Sequence, residues 1–243
     1  MQDNKFAFFT GLPRSGSTLF ASILNQNPDI FVSSNSPLCE VSFQTINSFL
    51  NCVSFLANPN PEGMTKILYN LFPSYYEIHL NKKLIFDKGF TWGTKVNADN
   101  LNRIFGYMPK FVVMTRNIDD VVNSIIKLID NNPDNIFTRY VDKNKIKDYD
   151  SKKKFLLEEA TWLTESIKST NYILENHSKN CYEVKYDELI DSPKKVIKGF
   201  YKFFDLPVYK HNLNNIVNNN QENDLIYGIP GMHVVRPTIS RLK

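Results

Sequence analysis

The sequence predicts an α/β fold with a mainly parallel central sheet flanked by helices, and three observations carry that prediction. Short apolar runs alternate with longer segments of helical spacing, the pattern of strands joined by crossover helices. One run, Phe6-Ala7-Phe8-Phe9-Thr10, passes through a glycine turn into a helix-forming segment. Another, Lys110-Phe111-Val112-Val113-Met114, passes through Thr115-Arg116 into a second such segment. A chain of 243 residues can bury one good core, so a single domain over 1–243 is expected.

The elements follow in order. After the strand at 5–10, Leu19, Phe20, Ile23 and Leu24 recur at helical spacing in a helix from about Ser17 to Asn27. Ile30-Phe31-Val32 reads as a second short strand. The stretch 33–81 is mixed, with helices on either side of an Asn58-Pro59-Asn60-Pro61 loop. Leu84-Ile85-Phe86 is a third strand and 110–114 a stronger fourth. Asp119 and Asp120 then favour a helix start, and Val121, Val122, Ile125, Ile126 and Ile129 form its apolar face. Residues 131–154 are polar and Lys-rich, which predicts a surface excursion. A helix from about Lys154 to Asn176 follows, with Leu156, Leu157, Ala160, Leu163 and Ile167 inward. Cys181–Tyr186 reads as a strand, and Asp191-Ser192-Pro193 starts a last helix through Val196, Ile197, Phe200, Phe203 and Phe204. Seven asparagines between His211 and Asn223 predict a loosely held loop or short helix. The tail 228–243, with His233, Arg236 and Arg241, is placed to close over a site.

Composition narrows the partners. With 42% hydrophobic and 22% charged residues the chain reads as globular, and a net charge of +4 is too small for a general polyanion binder. Nucleic acid is therefore not expected as a partner. The three cysteines, Cys39, Cys52 and Cys181, are odd in number and widely spaced, which argues for a reducing compartment. No leader opens the chain, and no apolar run approaches the roughly 20 residues that cross a bilayer. The expectation is a complete cytoplasmic protein with no membrane partner. Spacing among the four histidines suggests no metal site.

The chemistry concentrates in Phe6 to Leu24. A glycine turn between a buried strand and a helix aims free N–H groups and the positive helix end at one point, which suits a phosphate or sulfate. Gly11 and Gly16 have the separation of the glycines in G-x-x-x-x-G-K-[ST], but Ser17 follows where an ATP-binding loop carries Lys. The only cation of the turn is Arg14. In a parallel sheet ligands bind beyond the carboxyl ends of the strands, so Arg116 stands on the same edge. Ser124 lies eight residues on, about two helical turns. A Mg²⁺-binding strand would end in Asp; this one ends in Thr-Arg, which suits a second anion, with Arg supplying paired donors.

GLPRSGST taken with KFVVMTRNIDDVVNS resembles the 5′- and 3′-phosphate segments of sulfotransferases that use 3′-phosphoadenosine 5′-phosphosulfate (PAPS). The PRSG[ST]T form followed by LNQNPDI is most like the tyrosylprotein branch and its bacterial relatives. Cys181–Leu189 with Pro193 is similar to that group's segment whose tyrosine is near the nucleotide. The resemblance implies a P-loop NTPase-like architecture, in-line sulfuryl transfer from PAPS to a hydroxyl or amine, and release of 3′,5′-adenosine diphosphate (PAP). It implies that Pro13, Arg14, Ser15, Gly16, Ser17 and Thr18 hold the 5′-phosphosulfate, with Arg14 stabilising the leaving phosphate. Arg116 and Ser124 would take the 3′-phosphate, with Tyr186 positioning the nucleotide and Arg236 closing over it.

The catalytic set is less complete. Where the tyrosylprotein branch carries a Glu after the second strand, this chain has Asn35, which cannot accept a proton. Glu40 is the nearest carboxylate in sequence. Lys88, in Asp87-Lys88-Gly89-Phe90-Thr91-Trp92, resembles a D-K-x-x-x-W segment and would contact the sulfuryl group; His233 would reach it from the tail. Glu40, Lys88 and His233 are thus the catalytic candidates beside Arg14, with a small-molecule, glycan or peptide acceptor. The alternatives are a small-molecule or nucleotide kinase with a degenerate loop, and a nucleotide-binding regulator without catalysis.

Overall fold

A computed structural model describes residues 5–220 and 222–239; Arg241 of the tail lies outside them. Five strands form one sheet: β1 (Phe6–Gly11), β2 (Ile30–Asn35), β3 (Leu84–Lys88), β4 (Phe111–Thr115) and β5 (Cys181–Lys185). Their order is β2-β3-β1-β4-β5 and every pairing is parallel. Chain connections leave β1 toward β2 and β4 toward β5, in opposite directions along the sheet. The crevice between the carboxyl ends of β1 and β4 is therefore where a ligand site is expected.

Side-chain alternation explains why both faces are covered. Phe6 and Phe8 of β1, with Phe111 and Val113 of β4, enter one core with Phe72, Trp92, Phe105 and Ile173. Ala7 and Phe9, with Val112 and Met114, enter the opposite core with Phe20, Phe200 and Phe204. The first core is built by α4 (Pro61–Tyr75), α5 (Lys95–Phe105) and α8 (Thr161–Asn176), the second by α1 (Ser17–Leu24) and α10 (Pro193–Phe204). Strands sandwiched between helices read as continuous apolar runs, which is how β1 and β4 appear in the sequence. Across 33–81 the chain also forms α2 (Leu38–Leu50) and the short α3 (Val53–Ala57). α6 (Ile118–Asn131) buries Val121, Val122, Ile125, Ile126 and Ile129, its start capped by the Asn117 side chain.

Two boundaries differ from the sequence pattern. The helix expected from 154 to 176 is two helices, α7 (Tyr149–Glu158) and α8, because Ala160 leaves helical geometry at ψ 89°. α7 begins earlier because Asp148 and Ser151 form a reciprocal capping box. The second difference is at Tyr186, which opens α9 (Tyr186–Asp191) and does not close β5.

Between α6 and α7 the polar stretch folds on itself. The buried Asn135 side chain accepts the N–H groups of Phe137 and Thr138 and donates to Asn132 O. Ile136 N–H donates to Tyr227 O at 2.9 Å, and Gly228 lies against Asp134 and Asn135. The excursion and the tail are thus joined over the carboxyl edge of the sheet. The Asn-rich stretch is irregular, held partly by Gln26, which bonds the Asn212 backbone in both directions. Among the described residues no helix is long and apolar enough to cross a membrane.

Candidate active site

The glycine loop is shaped by close contacts that sequence spacing only hints at. Gly11 has φ 128°, and a Cβ there would lie 2.2 Å from Met114 O, so β1 can turn away from β4 only with glycine. Gly16 has φ 82°, and a Cβ there would lie 2.9 Å from the Tyr186 ring. Arg14 adopts φ 59°, a left-handed conformation that costs a side-chain-bearing residue about 1–2 kcal/mol. Arg116 holds that turn by donating from Nη1 to Arg14 O at 2.9 Å. No side chain caps the start of α1, so its first N–H groups remain directed into the loop.

Two guanidinium groups meet here. Arg14 Nε donates to Ser124 Oγ at 3.1 Å and Nη1 to Met232 O at 3.2 Å, joining the loop to α6 and to the tail. Arg14 forms no salt bridge among the described residues, and burial, then the Arg116 charge, lowers its pKa. Arg116 stacks on Tyr186, its Cζ 4.2 Å from the ring centroid. Its Nε is buried without a hydrogen-bond partner among the described residues, and Asp120 stands at a long 3.9 Å. Two half-buried cations with so little carboxylate compensation form a site electrostatically suited to an anion.

A cavity of about 330 Å³ opens over this loop. Pro13, Arg14, Gly16, Ser17, Thr18, Asn35, Arg116, Tyr186, His233 and Arg236 line it, and Phe90, Phe137, Trp162 and Tyr227 form aromatic walls. Ser15 is buried, its hydroxyl turned back to Leu12 O. Lys88 is buried at the end of β3, in register with Asn35 on β2. Burial pushes its ammonium below the usual lysine range, and the Glu222 charge opposes that shift. The neighbouring Asp87 explains the spacing to Trp92: it accepts Trp92 Nε1–H at 2.6 Å and the Tyr76 hydroxyl at 2.7 Å.

The structure does not bring Glu40 to this cavity. It is exposed on the first turn of α2 and lines a separate groove with Val41, Gln44 and Phe49, because α2 turns the Cys39 side inward and the Glu40 side out. The carboxylate beside Asn35 is instead Glu222, which the sequence pattern gave no reason to select. Oε1 accepts Asn35 N–H at 3.1 Å and Oε2 lies 3.3 Å from Asn35 Nδ2. His233, whose ring lies between Glu222 and Asp224, comes with it. Glu222 sits inside the asparagine-rich stretch, and its separation from Asn35 by 187 residues leaves no local signal. No group of three or more His, Cys, Asp or Glu among the described residues is arranged to hold a metal ion.

A parallel sheet with a glycine loop at its switch point and two arginines above it is the arrangement of α/β proteins that can hold an anion at a helix start. Comparison with known proteins refines this: the model of the sulfotransferase family matches residues 7–210, and the chain belongs to that family. The fold is similar to the sulfotransferase domain from the curacin biosynthetic pathway, at 15% identity and TM-score 0.55, covering 86% of this chain and 76% of that one. It is similar to the sulfotransferase domain of the Synechococcus PCC 7002 olefin synthase at 18% identity and TM-score 0.55, covering 96% and 89%. A sulfotransferase from Alicyclobacillus acidocaldarius aligns at 16% identity and TM-score 0.54, covering 91% and 87%. No curated protein matches the sequence.

Proposed function

We propose that the chain transfers a sulfuryl group in line from PAPS to a hydroxyl or amine of a small-molecule, glycan or peptide acceptor, releasing PAP. The observation that carries this reading is the pair Arg14 and Arg116 above the uncapped start of α1, with a buried Arg116 donor left unbonded. The Gly16 contact fits the same donor, since a Cβ there would press on the Tyr186 wall of the cavity.

The donor supplies a sulfuryl group on a good phosphate leaving group; the protein supplies position and charge. N–H groups of Ser15 to Thr18 and the Ser17 and Thr18 hydroxyls hold its 5′ end. Arg14 stabilises the charge that grows on the leaving oxygen, the kind of pre-aimed donor whose removal lowers turnover by about 10²–10³-fold. Arg116 and Ser124 hold the 3′-phosphate; the Ser124 hydroxyl accepts from Arg14 and keeps its own proton to donate. Tyr186 keeps the Arg116 plane in place and Arg236 closes from the tail, while Lys88, buried outside the cavity lining, adds its charge from the end of β3. No divalent metal enters this scheme, and three unpaired cysteines suit the reducing cytoplasm. PAP should raise the melting temperature without Mg²⁺ while ADP does so weakly. Stronger protection by Mg²⁺-ADP would favour a kinase and refute the proposal.

A further inference from the structure

The transfer needs a group to take the acceptor's proton, and Asn35 at the end of β2 cannot do it. A carboxylate nevertheless stands at that place, carried there by the far end of the chain. Asn35 holds Glu222 with its backbone and side-chain N–H groups, and the Tyr227 hydroxyl adds a third donor at 3.2 Å. Both of its oxygens already accept hydrogen bonds and it is not among the residues that line the cavity, so Glu222 itself is poorly placed to meet an acceptor.

His233 is better placed, because it lines the cavity directly after Met232, whose carbonyl accepts from Arg14. Asp224 grips it twice: its Oδ1 is 2.5 Å from Nδ1 and its Oδ2 accepts the backbone N–H at 3.1 Å. A carboxylate on Nδ1 keeps a proton on that nitrogen and makes Nε2 the accepting one. Nε2 is 3.4 Å from Glu222 Oε2, longer than the roughly 2.7–2.9 Å of a formed charge-assisted bond. It is therefore not committed to Glu222, yet a proton arriving there would find that carboxylate beside it.

We propose that His233, oriented by Asp224 and backed by the Asn35-held Glu222, is the proton acceptor of the transfer; this rests on the sulfotransfer reading above. The acceptor O–H bond breaks as its O–S bond forms, and the S–O bond to PAP breaks with its electron pair leaving on the phosphate. The proton passes to His233 Nε2. The carboxylate that the family pattern leads one to expect on β2 has moved to the tail, and Asn35 has become its anchor. Asp224 and Glu222 are positioning residues.

The test uses the full chain and four variants: His233→Gln, Asp224→Asn, Glu222→Gln, and Glu222→Gln combined with Asn35→Glu. Three quantities are read: thermal protection by PAP, PAP released from PAPS with water as acceptor, and the histidine side-chain ¹H–¹⁵N spectrum. In the wild type the neutral His233 ring should carry its proton on Nδ1, and Asp224→Asn should abolish that preference. His233→Gln and Asp224→Asn should keep PAP protection while release falls on the order of 10²-fold or more. Glu222→Gln should lose about tenfold, with partial recovery when Asn35→Glu is added. An Nε2-protonated ring in the wild type, or wild-type release by Asp224→Asn, overturns the proposal. Should the variants fail to fold, an Nε2-protonated ring in the wild-type spectrum still overturns the proposal. Wild-type protein that neither binds PAP nor releases it from PAPS would refute the sulfotransfer reading, and the proton assignment with it.

Discussion

Replacing Arg116 by Ala removes a guanidinium that touches the loop and the tyrosine wall and still has donors unused. Nη1 holds Arg14 O at 2.9 Å, the plane lies over Tyr186, and Nε is buried with no hydrogen-bond partner among the described residues. Asp120 is exposed and 3.9 Å away, so it competes weakly for the charge. If the free donors serve the 3′-phosphate, each charge-assisted bond contributes about 1.5–3 kcal/mol. Loss of about 3 kcal/mol weakens PAP on the order of 10²-fold. Losing the Arg14 O bond removes about 1 kcal/mol more from the loop itself, or roughly 2–4 °C in melting temperature for a domain of this size. Titration calorimetry of Arg116→Ala with PAP and with adenosine 5′-phosphosulfate, which lacks the 3′-phosphate, separates the two effects. PAP should lose about 10²-fold and adenosine 5′-phosphosulfate less than about threefold. Equal losses would refute the 3′-phosphate assignment and reduce Arg116 to a strut for the loop.

Further expectations concern other parts of the molecule. Arg14→Ala should lower turnover at saturating PAPS by about 10²–10³-fold while donor binding changes far less; an unchanged saturated rate would remove Arg14 from the chemistry. Burial raises the Asp87 carboxyl to about 6 against the opposing pull of Ser36, Tyr76 and Trp92. The folded state therefore binds that proton more tightly than the unfolded chain. Its contribution is complete below about pH 3.8 and is lost as the pH rises through about 6, a loss of about 3 kcal/mol by pH 7. Urea unfolding from pH 4 to 7 should show that decline in wild type and a flatter profile in Asp87→Asn; identical slopes would contradict it. Burial also pushes the Cys39 and Cys181 thiols to about 12, whereas Cys52 is exposed. A thiol reagent at pH 8 should thus modify Cys52 promptly, Cys181 on β5 more slowly and Cys39 on α2 only on unfolding, and equally prompt labelling of all three would contradict the burial of Cys39.

Much of the site was legible because its parts are local. The glycine loop occupies consecutive residues of one strand–turn–helix unit, although the contacts that require its glycines come from Met114 and Tyr186 elsewhere in the chain. Arg116 and Ser124 were legible for the same reason, since a strand end and two helical turns set their spacing. Glu40 is near Asn35 in sequence but not at the cavity, because one helical step turns its side chain away. Glu222 and Asp224 were invisible because no periodicity marks an irregular segment. The helix break at Ala160 was missed because Leu156, Ala160 and Leu163 are all buried, whichever side of the break they fall on.

By itself the sequence determined the fold class, the order of the strands along the chain and the glycine loop between β1 and α1, since backbone conformation and burial pattern are written in neighbouring residues. It also carried the pairing of that loop with Arg116, because parallel strands place their carboxyl ends on one edge. Only the tertiary structure decided which carboxylate stands beside Asn35, which face of His233 is held, and that the polar excursion meets the tail above the cavity. Those contacts join residues about a hundred or more positions apart, or span irregular chain, where proximity follows from the packed whole and not from any local pattern.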